Sequence, residues 1–481
     1  MKRWICLVLI LSLLLCSCQS ASSPVKTTMP TTPEETLPPE TTEPVWTGFT
    51  GSLDGYVYLH ENERDRQWEE DILFIARDFL DNHPWLVDDT TMTYEVESYI
   101  STPNWEWKSQ YMPEKREAFL AEVNSLLPLI PEYEEERLPW EIQRILATIG
   151  ECHANLMIDT TDTFHMYFHP FYEEDGLSIR AVTVPEEMPH LLYAELVSIN
   201  GFSVSEILDR IRPYSSTTTE SGFINNSVLR STMCLPSLLR TVEAMEPDDT
   251  SAEFTFLTES GETVTVSREA KHYDDYAEEP VLNHFYKFQL PYAFNDQKEK
   301  AYWIDHWEEM STLYIRMNQY DAAQEEAYLE TNKEIYAVLN NVNSLDKIIL
   351  DLRQNGGGSP SAKVLSGLLN FLRNPKVQRV YVLIDGGAYS MAVIGSYNIR
   401  TEIPDAIFVG SPTGQGLPTG SVRDELETPN QGLNFRTPGG MSILESGESF
   451  EYFEPDVLLY QTLEDYKLGI DTVLQYVIDL P

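Results

Sequence analysis

The stretch that decides the fold is Lys347-Ile-Ile-Leu-Asp-Leu-Arg-Gln-Asn-Gly-Gly-Gly-Ser-Pro360. Its apolar run, residues 348–352, is interrupted only by Asp351, which predicts a strand buried on both faces. Three consecutive glycines follow; they permit positive φ and leave backbone N–H groups uncovered. Ser359 can cap the next helix, and Pro360 fits the first turn of that helix. Such a hairpin before a helix N-terminus can stabilise a developing negative charge, although an ordinary strand-to-helix loop has the same pattern.

The segments on either side of this stretch alternate between strand and helix patterns. A strand is predicted at 312–317, a helix at about 322–340, a second helix at 359–373 and a strand at 380–384. This order is β-α-β-α-β, which implies right-handed crossovers in a sheet of parallel type. The fold class is therefore α/β in this region, and α+β over the whole chain.

A serine follows the next strand at the position where a nucleophile is useful. That strand ends in Asp385-Gly-Gly-Ala-Tyr-Ser390, and residues 391–400 have a helical pattern. Ser390 is therefore expected at a strand-to-helix turn, exposed at the carboxyl edge of the sheet. A serine that only caps its helix would look the same, but the glycine hairpin on the neighbouring strand could supply oxyanion donors beside Ser390.

A histidine lies at a second junction, in the segment 149–158. A helix is predicted to stop at Gly150 and a strand to start near Ala154, which leaves Cys152 and His153 between them. Adjacent side chains of an extended segment point apart, so this pair is not expected to form a dyad. A catalytic role for His153 needs a distant nucleophile, and a purely structural histidine is the alternative.

The N-terminus predicts export. A basic start and an apolar run at 4–15 indicate a signal peptide, and Leu15-Cys16-Ser17-Cys18 resembles a bacterial lipobox. That resemblance implies cleavage before Cys18 and diacylation of its thiol; secretion without a lipid is the alternative. Residues 19–47 are rich in Ser, Thr, Pro and Glu, which predicts a disordered tether. We expect an extracytoplasmic protein anchored to a bacterial membrane by its lipid.

Composition excludes several classes of partner. The net charge of −44 argues against nucleic acid and anionic lipid surfaces. No spacing of cysteines and histidines indicates a metal site, and no cofactor is expected. Cys152 and Cys234 could pair with each other, but two thiols do not make a disulfide framework. The sequence leaves the oligomeric state open.

The folded part divides into three predicted regions. Residues 48–149 are predicted to be a helical subdomain and 150–298 a β-rich region, followed by a catalytic core at 299–481. Within the β-rich region a strand, the Asn200-Gly201 turn and a helix capped near Ser203 resemble a PDZ-like module, a class that binds peptides by strand addition.

Residues 312–457 resemble the catalytic core of the C-terminal processing (tail-specific) serine peptidases. The pieces that match, in order and spacing, are Tyr314-Ile-Arg, Ile349-Leu-Asp-Leu-Arg-Gln-Asn-Gly-Gly-Gly, Val382-Leu-Ile-Asp with Tyr389-Ser390, Phe408-Val-Gly-Ser-Pro-Thr-Gly414 and Glu454-Pro-Asp456. The resemblance implies a ββα core of the crotonase or Clp-protease type. It also implies Ser390 as nucleophile, with the amides of Gly356 or Gly357 and of Met391 as oxyanion donors.

The catalytic base separates two branches of this family. Members with a Ser–Lys dyad carry the lysine 25 residues beyond the serine, where this chain has Gln415, a neutral amide that cannot take the proton. The resemblance to the tricorn-type and retinoid-binding relatives instead implies His153 as the base. It implies a later carboxylate that orients the histidine, for which Glu448 and Glu451 are the candidates. That branch also places a serine beside the histidine, where this chain has Cys152.

The sequence therefore favours a serine-type endopeptidase that acts on peptides or proteins through Ser390 and His153. A catalytically inactive lipoprotein that binds a peptide or another ligand on the same scaffold is the main alternative, because Gln415 and Cys152 depart from the pattern. A glycan-binding module is supported only by the 9 Trp and 26 Tyr residues, which are more often core residues.

Overall fold

The computed structural model describes most of the chain beyond the N-terminal segment, namely residues 46, 48–88, 105–108, 111–174, 176–276, 280–283, 300–359, 362–423, 425–444 and 448–480. The predicted signal peptide (1–18) with its Cys18, nearly all of the predicted tether (19–47), and Pro360 lie outside the described residues. Among the helices described, none combines the length and the apolar character that crossing a membrane requires.

The N-terminal region is helical, as predicted. Asn62 caps the first helix by accepting a hydrogen bond from the Asp65 N–H. The apolar faces of the helices share a core with Phe435 and Met441, which come from the far end of the chain. The three α-helices are Glu63–Asn82, Pro113–Leu126 and Arg137–Ala147.

The β-rich region contains the predicted turn and capped helix. Asn200 and Gly201 both have positive φ, and Ser203 with Glu206 forms a capping box on the helix Val204–Ile211. Seven strands of this region form one sheet, which contributes to one large buried core and to a small second cluster with Tyr466. They are Tyr167–Glu173, Gly176–Pro185, Glu195–Ile199, Phe202–Ser203, Ser251–Leu257, Thr263–Glu269 and Val281–Asn283.

The glycine-hairpin strand, Leu345–Asp351, lies inside a six-stranded sheet. The first two strands in the sheet order pair antiparallel and the remaining pairs are parallel, which agrees with the predicted α/β order. The strands in sheet order are Tyr302–Trp307, Thr312–Met317, Leu345–Asp351, Val377–Ile384, Ile407–Gly410 and Val457–Leu458. The helices around it are Glu325–Asn341, Ala362–Leu372, Met391–Glu402 and Thr472–Asp479.

Two small sheets connect residues 419–444 to the N-terminal half. Pro438–Leu444 pairs with Trp105–Lys108 and with Thr419–Val422, while Asn434–Arg436 pairs with Asn155–Met157 and Leu426–Glu427. The strand that follows His153 is therefore tied to a late segment of the chain.

Alternate residues of the central strand enter two different cores. Ile348 and Leu350 pack with the helices Ala362–Leu372 and Met391–Glu402, whereas Ile349 packs against the helix Thr472–Asp479. The strand is buried on both faces, as its apolar run predicts. This burial fixes the strand end from which the glycine hairpin starts.

Asp351 is the charged exception in the apolar run 348–352, and its carboxylate is paired with two arginines and a tyrosine. It accepts hydrogen bonds from Arg316 at 2.8 Å, from Arg353 at 2.6 Å and from the Tyr314 hydroxyl at 2.8 Å. Burial alone raises the pKa of Asp351, but Arg353 and Arg316 outweigh it and lower this pKa to about 2. Arg353 also binds Asp471 at 2.7 Å, so the network ties the hairpin to the last helix.

We expect Asp351→Asn to lower the free energy of unfolding by about 3–5 kcal/mol at neutral pH, because two buried guanidinium groups lose their anion. Asp346→Asn on the same strand is the control; Asp346 is exposed, and its loss should cost less than about 0.5 kcal/mol.

The same carboxylate stabilises the fold above its ordinary pKa of 3.8, and that contribution is lost as pH falls towards 2. Urea unfolding at several pH values measures both effects. Equal stabilities of the two variants at neutral pH would contradict this role for the buried network.

Candidate active site

Asn355 holds the glycine hairpin in place with both its side chain and its backbone. The Asn355 amide donates to the Met317 carbonyl at 2.9 Å, and its Oδ1 accepts the N–H of Gly357 at 2.9 Å. The Asn355 carbonyl accepts the N–H of Tyr389 at 3.0 Å. The hairpin is therefore bonded directly to the turn that carries Ser390.

Asp385 provides a second connection between the two loops. Its carboxylate accepts the backbone N–H of Gln354 at 2.8 Å, the Gln354 side-chain amide at 2.7 Å and the N–H of Gly387 at 2.9 Å. Gln354 has φ +55, so the hairpin leaves the strand with a left-handed residue. This contact fixes the spacing between the carboxyl ends of adjacent strands.

Ser390 has a strained backbone at the predicted strand-to-helix turn. It has φ +51 and ψ −118, a conformation that costs a non-glycine residue about 1–3 kcal/mol. Its N–H donates to Gln415 Oε1 at 2.8 Å, and its carbonyl accepts the N–H groups of Val393 and Ile394. Its side chain makes no capping hydrogen bond to the helix, so a simple N-cap role does not explain this serine.

Gly357 lies directly against Ser390. A Cβ placed on Gly357 would be 2.6 Å from Ser390 Cβ and 2.8 Å from the Met391 nitrogen, and Gly357 has φ +95. Only glycine therefore allows this approach. The glycine hairpin predicted as an oxyanion platform lies against Ser390, but the Gly357 N–H already donates to Asn355 Oδ1, so it is not an oxyanion donor in this state. The donor role of Met391 and Gly356 stays a prediction.

The histidine segment is a tight turn. The N–H of Ala154 donates to the Glu151 carbonyl at 3.1 Å, which closes a four-residue turn around Cys152 and His153. Cys152 Sγ consequently lies 3.5 Å from His153 Nδ1. The expectation that these two side chains point apart is wrong, because it assumed an extended backbone.

Glu151 is the carboxylate that orients His153. Glu151 Oε1 lies 2.7 Å from His153 Nδ1, and Oε2 accepts the His153 N–H at 2.9 Å. Oε1 also accepts the N–H of Gly420 at 3.1 Å. The exposed fraction is 1% for the Glu151 side chain and 9% for His153. This pair leaves Nε2 as the ring nitrogen that can act on another residue.

These contacts shift both pKa values in the directions expected of an ion pair. Burial alone lowers the pKa of His153, but Cys152 and Glu151 outweigh it and raise this pKa well above its ordinary range. Burial raises the pKa of Glu151, and the interaction with His153 outweighs it and lowers this pKa. The surroundings therefore favour the imidazolium, the state of a base that has taken a proton.

Neither of the two glutamates predicted for this orienting role is the carboxylate found at His153 Nδ1. Glu448 and Glu451 are both exposed, and the carboxylate on His153 Nδ1 belongs to Glu151. Glu451 instead borders a pocket of about 340 Å³ together with Glu151, Cys152 and Gln415. The prediction expected a carboxylate far along the chain, whereas Glu151 is only two residues from His153.

One segment, residues 415–420, holds both halves of the site. Gln415 binds the Ser390 N–H, and Gly420 binds Glu151. The Gln415 amide also donates to Thr419, so its side chain joins the two ends of the segment. Within the described residues no hydrogen bond joins Ser390 to His153.

Gln415 and the two cysteines can now be assigned. Gln415 is buried and positions the Ser390 backbone, which is a structural role for the residue in the place of the family lysine. Cys152 and Cys234 are both reduced, so they do not pair. The sequence analysis did not predict the positioning contacts of Glu151, Asn355 and Asp385. Of the three, only Glu151 could have been suspected from the sequence, because it lies two residues before His153.

A comparison with family models matches residues 311–379 to "Peptidase family S41". The chain is similar to peptidases of this family. The matched segment contains the central strand and the glycine hairpin but ends before Ser390. A search of the curated proteins gave no match.

Solved structures share the wider fold. "Crystal Structure of mature CPAF" has a TM-score of 0.55 at 12% identity and covers 87% of this chain and 96% of that chain. "Structure of mature CPAF complexed with lactacystin" has a TM-score of 0.55 at 13% identity, covering 87% and 98%. "Crystal structure of the tricorn protease" also matches, at 14% identity over 86% of this chain and 36% of that chain, but its TM-score of 0.37 does not show a shared fold. The S41 match and this shared α/β protease fold support a serine-type peptidase, a hydrolase.

We expect Gly357→Ala to abolish any chemistry at Ser390, because the methyl group would collide with the Ser390 side chain at a positive φ. Gly356→Ala is the matched control; its methyl group would meet nothing within 4 Å. The covalent labelling rate of Ser390 in each variant measures the difference. Equal rates in the two variants would contradict the close approach.

Proposed function

We propose that this protein is a serine endopeptidase in which Ser390 attacks the peptide carbonyl and His153 is the general base. The observation that carries the proposal is the shared attachment of Ser390 and of the Glu151–His153 pair to residues 415–420, beside the glycine hairpin. These attachments support the proposal because acyl transfer requires a nucleophile, an oriented base and backbone donors close to one another.

The steps follow from the roles of these groups. Glu151 holds the proton of His153 on Nδ1, so Nε2 has a lone pair that can take the Ser390 proton. The oxygen of Ser390 then attacks the carbonyl, and the Met391 N–H and the Gly356 amide stabilise the oxyanion. His153 returns its proton to the leaving amine, and water hydrolyses the acyl-enzyme by the same route.

We also propose that His153, rather than a lysine, defines the branch of the family. Gln415 occupies the lysine position and is held by Ser390 and Thr419, which leaves no basic group there. The alternative, an inactive binding protein on the same scaffold, would use the same cleft without covalent chemistry. The labelling experiment below distinguishes the two.

For location, we propose export and lipid anchoring through Cys18, with residues 19–47 as the tether and a PDZ-like module that helps to bind the peptide. The lipobox-like sequence and the composition of the tether support the first two. The turn at Asn200 and the capped helix support the third. A peptide or protein is then the partner, presented outside the cytoplasm.

A fluorophosphonate probe tests the nucleophile and the base. We expect it to label the parent protein on Ser390, and Ser390→Ala and His153→Ala to lower the labelling rate by roughly 10⁴-fold. Ser396→Ala, in the following helix, and His190→Ala, at an exposed position, are the matched controls and should label normally. Equal labelling of Ser390→Ala and the parent would exclude Ser390. Absence of labelling in the folded parent would favour the binding protein.

The pH dependence of the labelling rate tests Glu151. Because His153 acts only when neutral and its pKa is raised, the rate should rise at pH values above the ordinary 6.5. In Glu151→Gln the imidazolium loses its carboxylate, so the pKa of His153 falls. The rise should therefore move to lower pH, with a lower plateau because the ring is less well oriented. An unchanged midpoint would exclude Glu151 as the orienting residue.

A further inference from the structure

The turn at the base of the site brings three metal-binding atoms together. Glu151 Oε1, Cys152 Sγ and His153 Nδ1 all lie within 4.8 Å of one another. Spacing rules for metal sites look for ligands separated along the chain, so three consecutive residues do not match them. The tight turn makes the cluster possible, because an extended backbone would separate the cysteine from the histidine.

We propose that Glu151, Cys152 and His153 form an inhibitory Zn²⁺ site that switches off the general base. A thiolate, an imidazole nitrogen and a carboxylate oxygen are the ligand types that Zn²⁺ combines in proteins. Inhibition rests on the proposed peptidase function, whereas zinc binding itself does not.

The distances are close to those of a tetrahedral zinc centre. Ligands at about 2.0–2.3 Å from Zn²⁺ lie about 3.4–3.6 Å from each other. The Sγ–Nδ1 distance of 3.5 Å agrees with this value. The Sγ–Oε1 distance of 3.9 Å has to shorten, and the Nδ1–Oε1 distance of 2.7 Å has to lengthen as the hydrogen bond is replaced by two metal bonds. Each change is smaller than about 1 Å, within the reach of side-chain rotation.

The cluster also has an entry route and room for a fourth ligand. Glu151 and Cys152 border the pocket of about 340 Å³, whose wall includes Gln415 and Phe450. The carboxylate is already fixed by the N–H groups of His153 and Gly420, so little ordering is needed when the ion binds. Water can complete the tetrahedron from the pocket side.

Zinc at this position would disable the base by changing its tautomer. Coordination uses the lone pair of His153 Nδ1, so the imidazolium releases its Nδ1 proton to solvent and keeps the proton on Nε2. The Cys152 thiol also releases its proton to solvent as the Zn–S bond forms. Nε2 then carries a hydrogen and has no lone pair for the Ser390 proton. Ser390 would stay in place but would not be activated.

Cobalt and zinc titrations of the full folded chain test the proposal. We expect Co²⁺ to give a thiolate-to-metal charge-transfer absorption that Zn²⁺ abolishes by displacement. We expect Cys152→Ser to lose this band and to weaken zinc binding, measured by calorimetry, by at least roughly 10–100-fold, the loss typical of even an outer-shell partner. Cys234→Ala, which removes the other thiol in the described residues, is the matched control and should keep both properties.

The inhibition is read from fluorophosphonate labelling with and without Zn²⁺. Zinc should suppress labelling of the parent and of Cys234→Ala, a chelator should restore it, and Cys152→Ser should respond far less. No charge-transfer band in the parent, or equal zinc sensitivity in Cys152→Ser, would overturn the proposal. If the parent never reacts with the probe but shows the band, the zinc site stands and the peptidase function fails.

Discussion

The site depends on the close approach of a glycine to a serine in a strained turn. Gly357 and Ser390 lie in the loops that follow two neighbouring parallel strands, and the space between them leaves no room for a single methyl group. Ser390 accepts an unfavourable backbone conformation because its N–H and carbonyl are both bonded. The glycine hairpin is held against it by Asn355 and Asp385. The proposed nucleophile and the backbone N–H groups beside it are therefore held in place by the ends of the sheet strands.

The buried charges supply the rigidity that this approach needs. Asp351 ends the central strand and forms ion pairs with Arg316 and Arg353. Arg353 also forms an ion pair with Asp471, at the start of the last helix. The glycine hairpin begins at the end of the strand Leu345–Asp351, which these ion pairs hold in place. The proposed base is held differently: Glu151 and His153 come from a turn in the N-terminal half, and Glu151 accepts the N–H of Gly420.

Local patterns predicted the sheet, the glycine hairpin and the position of Ser390 well. The apolar run at 348–352 and the turn before residue 391 each report a structure formed by neighbours in sequence. The N-terminal helices and the capped helix after Asn200 were predictable for the same reason. The match of residues 311–379 to a peptidase family agrees with the resemblance seen in the motifs.

The details of the base were not predictable, because they depend on one turn and on long-range contacts. The backbone between Gly150 and Ala154 reads as the start of a strand, whereas it folds into a turn that brings Glu151 and Cys152 to the same ring nitrogen. Glu448 and Glu451 were chosen because the family resemblance implies an orienting carboxylate close to Glu454-Pro-Asp456. The Gly357 N–H donates to Asn355 Oδ1 and is therefore not available as an oxyanion donor, which the run of three glycines does not reveal.

The most direct measurement is a crystal structure of the parent protein with a peptide boronate. The account predicts a covalent bond from Ser390 Oγ to boron, one boronate oxygen at the Met391 N–H, and His153 Nε2 within hydrogen-bond distance of the adduct while Glu151 stays on Nδ1. A boronate bonded to Cys152, or an adduct on Ser390 with His153 turned away from it, would contradict the proposed nucleophile and base.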